Sequence, residues 1–491
     1  MAKIDLVDTS IRDGNQSLWG ATGLNTAKIL SIAPAMDRVG FRAIDFNSST
    51  HMAMAVRYDR EDPWERIRLT HAAAPNTPLQ YITTGFRFIA WETAHPDFMR
   101  LVYRKIAEAG IGRIIVLDPM HDVDALLAAC KMAKEEGIAD VMAALTYTIS
   151  DVHDDAFYAD LARAAANCRY IDRAYIKDPA GILMPDRART LVPAVQKEMG
   201  SKPLEIHAHC TVGLAPLTYM VAAEFGITAV HTGAGALANG TSLPAASRTV
   251  ANLREAGHTI DIDDRVLAMV ESYFTRLADA EGLPHGTPQE FDAAYLRHQM
   301  PGGAITTTQR QLKELGQEHR LAEVMAEIPR VRAELGYPIM VTPFPQIVAA
   351  QAMVNVTGKA RYATAPDQVI RYVLGKFGRP TAPVDANVLD KILASPRAKE
   401  LLNEPPPPSP AELRKRFGPR ISDEELLLRA VMPEEQVDAM LAAGPVKRHY
   451  NPDTRGLFEL LKELTQRPAV GELTVEKPGL KIALRAHGAH A

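Results

Sequence analysis

Cysteine is scarce in this 491-residue chain: Cys130, Cys168 and Cys210 are the only three, and none sits in a Cys-x-x-Cys pair. That excludes a disulfide framework and fits a reducing cytosol. No apolar run approaches the roughly 18 residues that a membrane span needs. Charge of one sign is also lacking, since 55 Lys and Arg face 59 Asp and Glu for a net charge of -4. Such a balance carries no electrostatic footprint for nucleic acid. The opening Met1-Ala-Lys-Ile-Asp-Leu-Val-Asp8 has no basic start, apolar middle and small-residue cleavage site, so a secretory signal is not expected. A hydrophobic fraction of 47% with 23% charged residues is that of an average globular protein. The expectation is a cytoplasmic protein that binds no nucleic acid and spans no membrane.

What is present is a run of short apolar segments. Strands are expected at 3–9, 41–46, 79–84, 113–117, 141–147, 174–177, 204–207 and 227–232. Each is compact and rich in aliphatic residues, as a strand buried on both faces must be. Helical patterns lie between them. Residues 97–110 repeat apolar positions at i, i+3 and i+4 and stop at Gly110, and 185–196 carries Pro185 in its first turn. Eight strands alternating with helices in about 240 residues predict an α/β fold, a (β/α)8 TIM barrel. A doubly wound open sheet would want a glycine-rich phosphate turn after the first strand. Thr9-Ser-Ile-Arg-Asp-Gly-Asn-Gln16 does not supply one.

From about Asp264 the pattern becomes mostly helical, as in 312–335 and 343–356. The expected organisation is a barrel over 1–262, a helical extension completing the active site over 263–404, and a third segment over 405–491. That segment opens on the stiff Pro405-Pro-Pro-Pro-Ser-Pro410, holds a helix near 434–443 and ends from about 470 in a poorly ordered tail.

Active sites of such barrels lie at the C-terminal ends of the strands. Asp13 follows strand one, Lys177 ends strand six, and His207 and His209 end strand seven. In an extended strand, residues i and i+2 face the same way, so the two imidazoles can reach one ion. A carboxylate with two imidazoles suits Zn, Mn or Co. Each element has an ordinary alternative: a loop salt bridge for Arg12 and Asp13, a chance His-x-His, a solvated Lys177-Asp178 pair. Their joint placement at three strand ends favours a site. Lys177 is the odd member, because an ammonium cannot bind a cation. Converted by CO2 to a carbamate, it becomes an anionic oxygen ligand, which hints at chemistry involving CO2.

These residues resemble the carboxyltransferase domain of biotin-dependent enzymes, the family of pyruvate carboxylase, the oxaloacetate decarboxylase α subunit and the transcarboxylase 5S subunit. The resemblance spans about 3–445. It rests on Arg12-Asp13 with Gln16-Ser17, Ile176-Lys-Asp-Pro-Ala-Gly181, His207-Ala-His209, Gly240-Thr-Ser242, and Met300-Pro-Gly-Gly303 followed by Thr306. Stretches from Val341-Thr-Pro-Phe through Tyr372-Val-Leu-Gly, and Ala411-Glu-Leu-Arg-Lys-Arg-Phe-Gly418, are similar to the decarboxylase branch. The resemblance implies that Asp13, carbamylated Lys177, His207 and His209 hold a divalent metal. It implies that Gln16 lies by the acceptor substrate and that Thr306 relays a proton between biotin and substrate. Asp13, Lys177 and Thr306 would then be the catalytic set, with Arg12, Gln16, Thr84 and Arg87 around the acceptor. A dimer of barrels is implied too.

Two departures stand out. Family members acting on pyruvate carry an arginine at the end of strand three; here Thr84 stands before Gly85, with Arg87 nearby. A bidentate grip on a carboxylate is thereby lost. The Thr-Ser-Gln-Pro turn reads Thr241-Ser-Leu-Pro244, and the Arg-Asp-Ala-His-Gln loop reads Arg12-Asp-Gly-Asn-Gln16. The acceptor is therefore expected to differ from pyruvate or to be held differently. An Ala-Met-Lys-Met biotinylation hairpin is absent, and so is a glycine-rich ATP loop. Biotin is expected on a separate carboxyl carrier protein, with a biotin carboxylase subunit as further partner. The competing reading is a metal-dependent lyase or synthase of the hydroxymethylglutaryl-CoA lyase and isopropylmalate synthase type, which shares the Arg-Asp-Gly-x-Gln loop. A non-catalytic scaffold is the third.

Overall fold

The computed structural model describes residues 2–451, 460–464, 472–477 and 480–485. Eight parallel strands close into a barrel in chain order: β1 Asp5–Asp8, β2 Ala43–Ser48, β3 Leu79–Thr83, β4 Ile111–Val116, β5 Asp140–Thr146, β6 Arg173–Asp178, β7 Leu204–Ala208 and β8 Ala229–Thr232. Closure is made by β1 against β8, with Asp5 opposite Ala229 and Asp8 opposite Thr232. The expected strands are all present, shifted by one or two residues. The closed barrel replaces the open-sheet alternative, and a mostly helical extension follows it.

Helices return the chain between strands. Asn25, Asp62, Asp122 and Asp154 cap their starts by accepting backbone N–H groups from the first turn. Helix Pro96–Glu108 buries Phe98, Met99, Val102, Tyr103 and Ile106 along one face. Each fully buried side chain of this kind contributes roughly 2 kcal/mol.

The barrel interior is divided by chemistry. Ile115, Leu117, Met142, Ala144 and Tyr175 pack together, with Ile82 and Val341 beside them, so β3–β5 line the mouth with apolar surface. Buried ionisable residues come from β2 (Asp45), β4 (Arg113), β6 (Lys177), β7 (Glu205, His207) and β8 (His231), and from the turn after β1 (Arg12, Asp13). The extension has an apolar core of its own, including Met300, Leu312, Ile328, Phe344 and Tyr372, which Met120 joins from the loop after β4.

Beyond the proline-rich stretch the structure departs from expectation. Three helices form, Pro410–Phe417, Asp423–Val431 and Glu434–Ala443, where one was expected. Leu413, Leu426, Leu427, Val437 and Met440 join the barrel's outer core. A capping box at Ser409 and Glu412 starts the first helix, and Ser422 caps the second. The expected tail is also corrected. Among its described residues, Glu472–Lys477 and Leu480–Arg485 pair as antiparallel strands, with Val475 opposite Ile482 and Leu473 opposite Leu484. The remainder of that tail lies outside the described residues. Among the described residues, no helix is long and apolar enough to cross a membrane.

Candidate active site and metal centre

The site is assembled from strand ends. After β1 the chain makes a π-helical turn, Ser10–Gly14, that leads into helix Asn15–Trp19. Ser10 is fixed by Asp8, which accepts from its backbone N–H and its hydroxyl. This turn aims Asp13 inward and brings Gln16 and Ser17 to the rim. The Ser17 hydroxyl donates to Asp13 Oδ1 at 3.0 Å.

Three elements then meet. Asp13 Oδ2 lies 3.2 Å from His207 Nε2 and 3.5 Å from Lys177 Nζ. Its Oδ1 lies 3.5 Å from His209 Nε2. Lys177 Nζ is 3.1 Å from His207 Nε2, which is 3.2 Å from His209 Nε2. All four residues are buried, His207 completely. The ligand atoms of Asp13, His207 and His209 lie within 4.8 Å of one another. Asp13 Oδ2 has no partner in hydrogen-bonding geometry despite these neighbours. Each carboxylate oxygen thus faces one imidazole nitrogen, Oδ2 that of His207 and Oδ1 that of His209, so one carboxylate and two neutral-capable nitrogen donors converge on a buried point. The donor set therefore fits a divalent cation.

Electrostatics prepare the same set. Burial alone would raise the Asp13 pKa, but the Arg12 guanidinium, His209 and Lys177 hold it well below the usual carboxylate range. Burial pushes His207 well down, helped by the Lys177 charge, so its ring is neutral. Burial also lowers Lys177 to about 8, against the pull of Asp13. A lysine in that state supplies free amine near neutrality, as carbamylation requires.

Arg12 is anchored from below, its Nε donating to Asp45 Oδ2 at 2.7 Å and its Nη2 lying 2.8 Å from Asp13 Oδ2. Arg12, Asp13, Gln16, Thr84, Lys177 and His209 all line one cavity of about 170 Å³. Residues that sequence reasoning missed help complete it, Ser48, Ser49 and Thr50 from the end of β2 and Trp91, together with Pro301, Val341 and Thr342 from two of the motifs that carried the resemblance. The Ser-Ser-Thr run at a strand end was a readable signal. Trp91 was not, since it follows an irregular loop.

Arg87 is not brought into the cavity. Its guanidinium donates to the carbonyls of Thr84 and Phe377 and sits 3.9 Å from Asp118, tying the loop after β3 to the extension. The expectation that it contacts the acceptor is corrected: three backbone and side-chain partners hold it elsewhere. Thr306 lies in helix Gly302–Glu314, and at the start of that helix Pro301 and Ala304 line a second cavity with Gln16, His209 and Thr241. The Thr306 side chain is outside the described atoms.

Comparison with known proteins agrees with this architecture. Residues 3–268 match the family described as HMGL-like, and residues 296–471 match the family described as a conserved carboxylase domain. The chain is 34% identical to a pyruvate carboxylase subunit of Methanocaldococcus jannaschii over 489 residues, covering 98% of this chain and 84% of that one. It is 31% identical to the 2-oxoglutarate carboxylase large subunit of Hydrogenobacter thermophilus, covering 92% and 70%. The methylmalonyl-CoA carboxyltransferase 5S subunit of Propionibacterium freudenreichii subsp. shermanii is 27% identical, covering 88% and 86%. Among solved structures, the carboxyl transferase domain of Rhizobium etli pyruvate carboxylase with oxamate and biotin superposes with a TM-score of 0.80 at 25% identity, covering 90% and 78%. The chain belongs to the carboxyltransferase subunits of the biotin-dependent carboxylases, and it is an enzyme of that family.

Proposed function

We propose that the chain moves a carboxyl group between carboxybiotin, carried on a separate protein, and a small carbonyl compound, at a metal centre formed by Asp13, carbamylated Lys177, His207 and His209. The observation that carries this reading is the lysine amine 3.1 Å from His207 Nε2 and 3.5 Å from Asp13 Oδ2. The lyases and synthases of the competing reading do not need a lysine there. In carbamylation the neutral Nζ attacks CO2, a N–C bond forms and a proton leaves, giving an anionic oxygen ligand in place of a cation. Zn, Mn and Co suit the resulting nitrogen and oxygen donors. Such an ion, when bound, supplies Lewis acidity that favours negative charge on the acceptor's carbonyl oxygen.

The remaining steps fall to the chain's own residues. Gln16 presents an amide donor to the acceptor at the cavity rim. Ile82, Leu117, Trp91 and Val341 wall the cavity with apolar surface and limit water. That protects CO2 released from carboxybiotin and strengthens every charge interaction inside. Thr306 relays a proton between the biotin ureido nitrogen and the acceptor carbon, because a hydroxyl both donates and accepts. The deprotonated acceptor carbon then bonds to CO2. Asp45 holds Arg12 as a fixed positive charge beside Asp13.

The cations lining the cavity are Arg12 and Lys177, and both face carboxylates. With Thr84 at the end of β3, no cation among the described lining residues is left to grip a 2-oxoacid carboxylate. The acceptor is therefore not pyruvate, or is held by the hydroxyls of Ser48, Ser49 and Thr50. Partners in this reading are a biotin carboxyl carrier protein and a biotin carboxylase subunit, and the chain acts as a homodimer in the cytoplasm. The HMGL-like match keeps the lyase or synthase alternative specific, and a CO2 adduct on Lys177 separates the two.

The test is a steady-state screen of 2-oxoacids and acyl thioesters with a biotinylated carrier, run on the native chain and on Thr84→Arg. The expected outcome is an acceptor whose kcat/KM exceeds that of pyruvate at least tenfold, and improved pyruvate use in Thr84→Arg. Efficient turnover of pyruvate or oxaloacetate by the native chain contradicts the non-pyruvate assignment, and turnover that also survives combined Ser48→Ala, Ser49→Ala and Thr50→Ala contradicts the hydroxyl grip.

A further inference from the structure

Beneath the metal centre the barrel encloses a second line of polar groups. Glu205 on β7 and His231 on β8 are both fully buried. Glu205 accepts from Arg113 through Oε2, and from Arg173 through Oε1 at 3.2 Å. His231 Nε2 lies 3.1 Å from Glu205 Oε2, and its Nδ1 lies 3.2 Å from His207 Nδ1. Tyr175 stacks on the His231 ring at 5.3 Å and fixes its plane. The order is therefore two guanidinium groups, a carboxylate, a first imidazole and a second imidazole whose far nitrogen faces Asp13.

We propose that Glu205 and His231 are positioning residues that fix the proton of His207 on Nδ1 and so keep its Nε2 lone pair aimed at the metal centre. This rests on the metal centre of the proposed function and gives a role to two residues that have no part in it so far. Donors and acceptors must match along the line. Glu205 faces two guanidinium groups and can only accept, so His231 must place N–H on Nε2. A neutral His231 then has a lone pair on Nδ1. That lone pair accepts from His207 only if His207 carries N–H on Nδ1, which leaves His207 Nε2 bare. The reverse order would put a proton on Nε2, between the ring and its would-be ion. His209 has the same arrangement by a shorter route, since its Nδ1 donates to the Thr241 carbonyl at 2.6 Å. Both rings thus present Nε2, and partners of this kind usually change metal affinity by 10–100-fold.

Two measurements test this. In metal-free native protein labelled with 15N-histidine, the His207 resonances, assigned by their loss in His207→Gln, are expected to show Nδ1 protonated and Nε2 bare. The opposite tautomer overturns the proposal without any stability question arising. In chelator competition with Zn, His231→Phe keeps a ring on Tyr175 but loses the acceptor, and it is expected to bind 10–100-fold more weakly. His231→Asn restores an acceptor oxygen near the Nδ1 position and is expected to recover most of that loss. Equal affinity across native, Phe and Asn forms overturns the relay while leaving the metal centre standing. A native chain that binds no divalent ion overturns the centre and the relay together.

Discussion

Lys177 is the residue on which the proposed chemistry turns, and its environment gives a pH signature. Burial lowers its pKa from 10.5 to about 8. Only the neutral amine reacts with CO2. About one molecule in ten offers it at pH 7 and about one in a hundred at pH 6. At fixed dissolved CO2, the 13C carbamate signal of the metal-free protein is expected to climb steeply between pH 6 and 8 and then level off. A signal that rises only near pH 10 would mean an ordinary solvated lysine. The same shift has a stability consequence with a definite sign. Between about pH 8 and 10.5 the unfolded chain holds a proton that the folded chain has released. The metal-free fold therefore gains stability from this group as pH rises through that window. Asp13, Lys177, His207 and His209 were legible as candidates because period-two strands and the active end of a barrel reduce to position along the sequence. Their convergence was not legible, nor was the fate of Arg87. The Thr84 carbonyl three residues before it, with Phe377 and Asp118 from two other segments, holds that side chain away from the cavity.

At the scale of elements, the site depends on close backbone approaches between neighbouring strand ends. Gly181, in the loop after β6, has φ +72, and a Cβ there would lie 2.5 Å from the His209 carbonyl and 3.0 Å from the Thr211 nitrogen. Neither backbone atom can yield without moving the end of β7. Gly181→Ala is expected to cost more than about 1 kcal/mol of stability. It should also weaken metal binding, read by thermal melting and chelator competition on the same preparation. Unchanged values for both would show that the loop does not set the position of His209. The π-helical turn at Ser10–Gly14 had no sequence signal of its own, because it depends on Asp8 and on the packing of Gly14 against Leu237. The helices at 410–417 and 423–431 did have signals, a capping box at Ser409 and a Ser422 cap before three leucines. The charged character of that stretch masked them. The paired strands at 472–485 likewise alternate in sequence, with Leu473 and Val475 between charged or hydroxyl residues.

On the scale of the whole molecule, two apolar cores meet at one cavity. The barrel supplies the ionisable half and the extension supplies Pro301, Val341 and Thr342 over its mouth. The helices of 410–443 brace the barrel's outside and take no part in that lining. A cavity at such a junction suits a tethered substrate that must enter and leave. Turnover with a biotinylated carrier domain is therefore expected to exceed turnover with an equal concentration of free biotin, because contacts to the carrier raise residence at the mouth. Equal rates would argue that the chain recognises biotin alone.

All of this chemistry requires that CO2 convert Lys177 into a metal ligand. X-ray diffraction from crystals grown with Zn and bicarbonate, collected above and below the Zn absorption edge, addresses that directly. The expected result is one anomalous peak per chain among Asp13, His207 and His209, with continuous density for a carboxyl group on Lys177 Nζ reaching that peak. An ion bound beside an unmodified lysine, or anomalous density anywhere but this cluster, would contradict it.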